Sequence, residues 1–141
     1  MATLLQGVKM HGVTIDLRWH EGRVEAFSCR SDGDEPLAAE ATDRVLKGGM
    51  MTPPLAEPHV HLDAGLLGQR APNRSGTLRE GIANWATLRP ALTVEDVQAR
   101  ALAVAEMYAA WGCLRLRTHV DTGSLVAVGA LLDLKSQLAS K

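Results

Sequence analysis

The sequence predicts an α/β fold, with short β-strands over residues 1–53 and alternating strands and helices over residues 54–141. Two observations support this prediction. Before Pro53, short stretches alternate apolar and polar residues, as half-buried strands do. After Pro54, short apolar runs alternate with segments of helical periodicity, and this strand–helix–strand–helix order is typical of a parallel α/β layer. The two prolines mark the expected boundary between the parts.

The first part is expected to form antiparallel strands. Alternation predicts strands over residues 13–19 and 23–27, joined by a hairpin turn at residues 20–22 in which Gly22 supplies the positive φ. A loop rich in Asp and Gly is expected at residues 31–36. Residues 45–49 predict one more short strand that runs into a turn.

In the second part, a strand is predicted to follow Pro54 and to end at His61, and residues 64–74 are predicted to be a loop. Residues 77–88 predict a helix, because Leu78, Ile82 and Trp85 are spaced to share one face. Ser75 or Gly76 is the expected N-cap of this helix, and Pro90 ends it.

A second helix is expected to begin after Thr93, which is a good N-cap, and to end before Gly112. Residues 114–120 predict the second strand, and residues 125–139 predict a third helix. The expected apolar face of the second helix consists of Val97, Ala101, Val104, Ala105 and Tyr108. That of the third helix consists of Val128, Leu131, Leu132, Leu134 and Leu138.

Composition limits the classes of partner and location. The formal net charge is −1, which gives no general attraction to nucleic acid or to an anionic membrane. No apolar run reaches the roughly 18 residues of a membrane span, and the first residues do not have the pattern of a signal peptide. Cys29 and Cys113 are far apart in the sequence and are expected to be reduced thiols. A cytoplasmic protein without nucleic-acid or membrane partners is therefore predicted.

The strongest candidate site is at the end of the first strand of the second part. His59 and His61 stand at i and i+2, so in an extended strand their side chains share one face, and Asp63 follows in the same register. Two imidazoles that project from one strand end can bind one divalent metal. A chance surface pair is the alternative interpretation. Asp63 is expected either to orient His61 or to cap the loop.

The end of the second strand repeats this spacing. His119 and Asp121 stand at i and i+2, and by parity they face the same side as Arg115 and Arg117. One interpretation is structural, with His119 and Asp121 bonded to each other and to buried arginines. The other places them in the pocket wall, where they orient a ligand or bind substrate.

Three stretches resemble, in the same order, the cytosine deaminase-like branch of the amidohydrolase superfamily. They are Glu57-Pro58-His59-Val60-His61-Leu62-Asp63, the segment Ser75–Ile82, and Arg117-Thr118-His119-Val120-Asp121. The resemblance is weak over the first forty residues and strong from Pro54 onward. Three ordered matches are far more specific than one His-x-His motif.

The resemblance implies a fold and a chemistry. Residues 54–141 would be the first β/α units of an incomplete (β/α)8 TIM barrel, of which about two strands are present, and residues 1–53 part of a small β-sandwich. The parent enzyme would be a hydrolase that breaks a C–N bond of a heterocyclic ring or a cyclic amide by means of a metal-activated water. His59 and His61 would bind the metal, Zn or Fe. Leu78 belongs to a stretch that lies over the pocket in the family.

The sequence also departs from the family. Later strands of the family supply a third His, an Asp and a Glu that moves protons, whereas no histidine follows His119 here. The 88 residues from Pro54 to Lys141 are far fewer than the roughly 250 of a full barrel. The chain is therefore interpreted as the N-terminal portion of a larger enzyme that lacks the acid–base residues and is inactive alone. A complementing C-terminal chain or a homo-oligomer is the expected partner, and a small heterocycle the substrate of the parent enzyme.

Two other functions stay open. The chain is either a non-catalytic remnant or interaction module, or, less convincingly, a small metal-binding protein built on His59 and His61 alone, because two ligands are too few for a stable site. A different class of zinc deaminase is excluded, because its Cys-x-x-Cys ligand motif is absent from the sequence.

Overall fold

The computed structural model describes residues 1–139. They form two compact units that divide between Pro53 and Pro54. None of the helices in these residues is long and apolar enough to cross a membrane. Each unit has its own sheet, and the candidate site lies in the second.

The first unit is a four-stranded sheet of order β3-β2-β1-β4. Its strands are β1 (Thr3–Met10), β2 (Val13–His20), β3 (Arg23–Arg30) and β4 (Arg44–Lys47). The pairs β1–β2 and β2–β3 are antiparallel. Their two-residue turns, His11-Gly12 and Glu21-Gly22, have positive φ at both positions, which matches the twist of the flanking strands. The predicted hairpin at residues 20–22 is confirmed.

The expectation that all strands of this unit are antiparallel is wrong for β4. That strand pairs in parallel with β1, with Leu4 opposite Val45. The long connection after β3 crosses to the edge of β1 that β2 does not occupy, and β4 then runs in the same direction as β1. β1 itself escapes the alternating pattern because of a bulge between Leu5 and Val8, where Gly7 has a φ of 67°.

The second unit contains β5 (Leu55–Val60), α1 (Leu78–Leu88), α2 (Val94–Ala110), β6 (Cys113–Thr118) and α3 (Leu125–Ala139). β5 and β6 pair in parallel, as the strand–helix order predicts. Short 3₁₀ turns at Leu67–Gln69 and Arg89–Ala91 interrupt the connections, the first within the predicted loop. A closed barrel and a β-sandwich stay predictions from the resemblance.

A threonine caps the N-terminus of each of the first two helices. Thr93 caps α2 as predicted, and its side chain accepts a hydrogen bond from the backbone N–H of Asp96. The cap of α1 is Thr77 and not Ser75 or Gly76, because the hydroxyl of Thr77 is the one that accepts from the backbone N–H of Glu80. In turn the Glu80 carboxylate accepts from the backbone N–H of Ser75, so a reciprocal cap fixes the entry to α1.

The core of the second unit lies between α2 and α3. Val97 and Ala101 of α2 are fully buried there. The buried residues of α3 are Ala127, Ala130, Leu131 and Leu134. Two leucines predicted for this face, Leu132 and Leu138, are exposed instead. The actual face follows the i, i+3, i+4, i+7 spacing through two alanines, which leucine content alone does not reveal.

The predicted apolar face of α1 is also partly wrong. Leu78 and Ile82 are 79% and 59% exposed, and only Trp85 packs against the core. An apolar groove of about 560 Å³ opens between α2, β6 and α3. Leu114, Leu116 and Leu132 line this groove, so a large apolar surface of the second unit is uncovered in the described structure.

Candidate functional site

The parallel pairing of β5 and β6 brings their C-terminal ends to the same edge. Val60 lies opposite Thr118 in the register, and the backbone N–H of His119 donates to the carbonyl of Val60 over 2.7 Å. The residues that follow the two strands therefore lie side by side. This is the edge at which open α/β sheets carry their ligand sites.

Three histidines gather at this edge. The ring centroids of His59 and His119 are 3.9 Å apart, and those of His59 and His61 are 5.5 Å apart. His61 and His119 complete the triangle at 5.8 Å. The structure thus brings together the two predicted metal ligands and adds the ring of His119, for which the sequence leaves open a structural role or a place in the pocket wall.

Contacts of neighbouring residues determine the side of β5 on which His59 lies. Its backbone N–H donates to Oε1 of Glu57 over 2.9 Å, across one residue of the strand. On the opposite side of the same strand, Val60 packs against the helical core. Alternation therefore holds His59 on the face away from the core, as the i, i+2 spacing predicts.

Asp63 is fully buried directly behind His61. Its Oδ1 lies 3.6 Å from Nδ1 of His61 and has no hydrogen-bond donor in the described residues. Its Oδ2 accepts the backbone N–H of Asp121 over 2.9 Å. One carboxylate thus joins the ends of both strands, and its open acceptor faces a candidate metal ligand.

His119 is half-buried, and its Nδ1 is enclosed without a hydrogen-bond partner among the described residues. Burial lowers the pKa of His119 below its usual value, and the positive charges of His59, Arg117 and His61 act in the same direction. The neutral form of this ring is therefore favoured, and a neutral imidazole is the form that binds a metal.

Asp121 does not bond to His119 or to an arginine of β6. Its Oδ2 accepts from the indole N–H of Trp85 over 2.5 Å and lies 3.4 Å from Nη1 of Arg89. The hydrogen bond from Trp85 is the largest cause that lowers the pKa of Asp121, followed by the backbone N–H of Gly123. The structural interpretation with Arg115 and Arg117 is wrong, since both arginines are exposed.

Arg100, which none of the sequence motifs includes, is only 7% exposed. Its guanidinium donates from Nη1 to the backbone carbonyls of Asp63 and Gly65, over 2.9 and 2.7 Å. A signal was present in the sequence. Arg100 falls within the apolar stripe of α2, between Val97 and Val104, and a charged residue at a core position requires a partner.

The residues present suit a divalent metal only in part. His59 and His61 supply two neighbouring imidazoles, which are ligands for Zn or Fe. Within residues 1–139, however, no three His, Cys, Asp or Glu side chains have the arrangement that would hold a metal ion. A catalytic zinc takes three protein ligands and keeps an open position, so this edge provides an incomplete set.

Solved structures similar to this chain include two crystal structures of 5-methylcytosine deaminase from Klebsiella pneumoniae, one liganded with 5-fluorocytosine and one with phosphonocytosine. The sequence identity is 34% to each, and the TM-scores are 0.72 and 0.75. The match covers 99% of this chain and 34% of those proteins, so the chain spans about a third of their length.

This similarity confirms the resemblance to the cytosine deaminase-like branch of the amidohydrolase superfamily and indicates a hydrolytic, amidohydrolase-like origin. No protein-family model matches the chain. No curated protein matches it either.

Proposed function

We propose that this chain is the N-terminal part of a metal-dependent amidohydrolase that breaks a C–N bond of a cytosine-like ring. The observation that carries the proposal is the pair His59 and His61 at the shared end of β5 and β6, with Asp63 buried behind His61. The similarity to 5-methylcytosine deaminase over nearly the whole chain supports the same chemistry.

In this proposal His59 and His61 would hold the metal, Zn or Fe. A divalent metal at such a site supplies an activated water for hydrolysis. The chain's own part is to present both imidazoles on one side of a strand end and to keep that end tied to β6 through Asp63 and Asp121. The third ligand and the group that moves protons would come from a segment outside these 141 residues.

The groove between α2, β6 and α3 is a surface on which such a further segment could pack. β6 pairs only with β5 in the described sheet, so one of its edges is unpaired beside an apolar surface. The occupant that we propose is the next strand and helix of the same amidohydrolase, whether in one continuous chain or in a complementing C-terminal chain. Such a unit would pair with the edge of β6 and cover Leu114 and Leu132.

The second candidate function is a non-catalytic remnant or interaction module. The incomplete ligand set within residues 1–139 favours it. The DNA that follows the codon for Lys141 distinguishes the two functions. A reading frame that encodes the missing His, Asp and Glu supports the enzyme.

A chimera tests the proposed function. This chain would replace the matching third of the Klebsiella pneumoniae 5-methylcytosine deaminase, and ammonia release from cytosine and 5-methylcytosine would be measured with added Zn or Fe. We expect metal-dependent release that is lost in the His59→Ala, His61→Ala variant and kept in His11→Asn. His11 lies in an exposed turn with positive φ, which asparagine tolerates.

The purified chain by itself serves as the baseline of this assay and is expected to release no ammonia above the double variant. A folded chimera that stays active without His59 and His61 would contradict the proposal.

A further inference from the structure

We propose that Arg100 and Asp63 act together as positioning residues that fix the tautomer of His61, with the proton on Nδ1 and the lone pair on Nε2. This inference rests on the proposed function, because it concerns how His61 would face a metal. It adds a residue of α2, Arg100, that touches neither histidine and that the motifs do not include.

The first contact fixes the loop backbone. Nη1 of Arg100 donates to the carbonyls of both Asp63 and Gly65, so one guanidinium holds the chain on either side of Ala64. Gly65 lies directly against α2, because a Cβ at this position would be 2.8 Å from Cγ2 of Val104. The loop therefore lies against α2 at the residue that carries the carboxylate.

The second contact fixes Arg100 itself. Its Nε donates to Oδ2 of Asp96 over 3.0 Å, one helical turn earlier. Asp96 also binds Arg70 through its Oδ1 over 2.5 Å, and the hydrogen bond from Arg70 is the main cause that lowers the pKa of Asp96. The guanidinium is thus held on two sides, and its planar fork leaves little freedom for the loop.

The third contact reaches the ring. Asp63 has no exposed surface, and its Oδ1 lacks a donor in the described residues, which is costly for a buried carboxylate. Nδ1 of His61, at 3.6 Å, is the nearby ring nitrogen that can supply a proton. That separation is longer than a hydrogen bond, so the proposed bond requires the ring to move closer to Oδ1. Protonation of Nδ1 leaves Nε2 as the ligand atom.

Nuclear magnetic resonance of the metal-free chain tests this inference. Long-range ¹H–¹⁵N correlation distinguishes Nδ1–H from Nε2–H in each ring, at about pH 8.5, well above the usual imidazole pKa of about 6.5. We expect the Nδ1–H form for His61 in the unmodified chain. His11, in its exposed turn, provides an internal reference without a carboxylate behind it. An Nε2–H form for His61 overturns the inference.

Variants then test the role of Arg100. Arg100→Met keeps the length of the side chain and removes its donors, so we expect His61 to become a mixture of tautomers. Arg79→Met, on the exposed side of α1, is the matched control and should leave the His61 signals unchanged. A folded Arg100→Met chain with the unmodified His61 pattern contradicts the role of Arg100.

Arg100→Lys covers the case in which Arg100→Met does not fold. Lysine keeps the charge but cannot hold two carbonyls with a planar fork, so an intermediate tautomer ratio is expected. A ratio equal to that of the unmodified chain overturns the role of Arg100. Because the tautomer is read without metal, this result is independent of whether His59 and His61 bind zinc. If the double histidine variant loses zinc binding while His61 of the unmodified chain carries its proton on Nε2, the positioning role is refuted and the proposed metal binding is not.

Discussion

Each unit of the molecule buries one aspartate completely, and the two carboxylates are treated differently. Asp16 in the first unit accepts from the backbone N–H groups of Gly7 and Leu37 and from Arg30, so both of its oxygens have donors. Asp63 in the second unit has a donor on Oδ2 only, and its Oδ1 faces His61. Asp16 therefore has no acceptor left for another group, whereas Asp63 keeps one acceptor beside the candidate site.

The sheets of the two units also differ in how complete they are. The first unit pairs its strands mostly through two-residue hairpins, which fix the register locally. The second unit joins two distant segments in parallel, and its described sheet ends after two strands beside an apolar groove. Parallel sheets normally have helices on both faces and several strands. The first unit therefore has a more complete sheet than the second, and the candidate site is in the less complete one.

The largest expected effect is the loss of stability when the Asp16 carboxylate is removed. Asp16→Ala leaves two buried N–H groups and Arg30 without their acceptor, and we expect a loss of about 3–5 kcal/mol in the free energy of unfolding. Urea unfolding followed by circular dichroism measures it. Asp32→Ala, at an exposed position of the first unit, is the control and should change stability by less than about 0.5 kcal/mol. A loss at Asp16 as small as that of the control would remove the contrast between the two aspartates.

A smaller effect of the same residue is its pH dependence. Burial raises the pKa of Asp16, but the hydrogen bonds from Gly7, Leu37 and Arg30 outweigh it, so the folded-state pKa lies below the usual value. A lowered folded pKa gives stability that is present above the unfolded pKa of about 3.9 and is lost as the pH falls through the folded pKa. Asp16→Asn should therefore flatten the loss of stability below about pH 4. An unchanged acid slope would show that Asp16 titrates normally.

Asp63→Asn sharpens the comparison in the second unit. The amide still offers an oxygen to the backbone N–H of Asp121 but removes the negative charge that faces His61. We expect zinc affinity to fall about 10–100-fold, which is the usual effect of changing a group that orients a metal-binding histidine. Zinc titration by calorimetry measures this loss, with Asp133→Asn on the exposed side of α3 as control. Equal zinc affinities of Asp63→Asn and Asp133→Asn would show that Asp63 does not contribute to zinc binding.

The smallest predicted effect concerns a helix end. Thr93→Ala removes the acceptor for the backbone N–H of Asp96 at the start of α2, and should cost about 1 kcal/mol of stability. Thr52→Ala, at an exposed position, is the matched control. Thermal unfolding compares the two variants. A Thr93→Ala chain as stable as the Thr52→Ala chain would show that α2 does not depend on its cap.

Local signals predicted much of this architecture. The i, i+2 spacing of His59 and His61 and the strand–helix–strand order predicted a parallel pair with histidines at one end, and the structure has this arrangement. The caps at Thr93 and Gly112 were also readable, because they depend on neighbouring residues only.

What escaped prediction depends on contacts between distant segments. The parallel pairing of β4 follows from the path of a long connection, which residue pattern does not encode. Leu78 and Ile82 share an apolar face, but periodicity does not say whether another element covers it, and in the described structure both are exposed. The clamp of Arg100 on the carbonyls of Asp63 and Gly65 joins residues 37 and 35 positions apart, which a local motif cannot show.

Zinc titration of the unmodified chain distinguishes a metal-binding pair of His59 and His61 from a chance surface pair. We expect one weak zinc site per chain, because two imidazoles do not complete the coordination shell. That site should disappear in His59→Ala, His61→Ala and persist in His11→Asn. Binding that is unchanged in the folded double variant, or lost in His11→Asn, would contradict the claim.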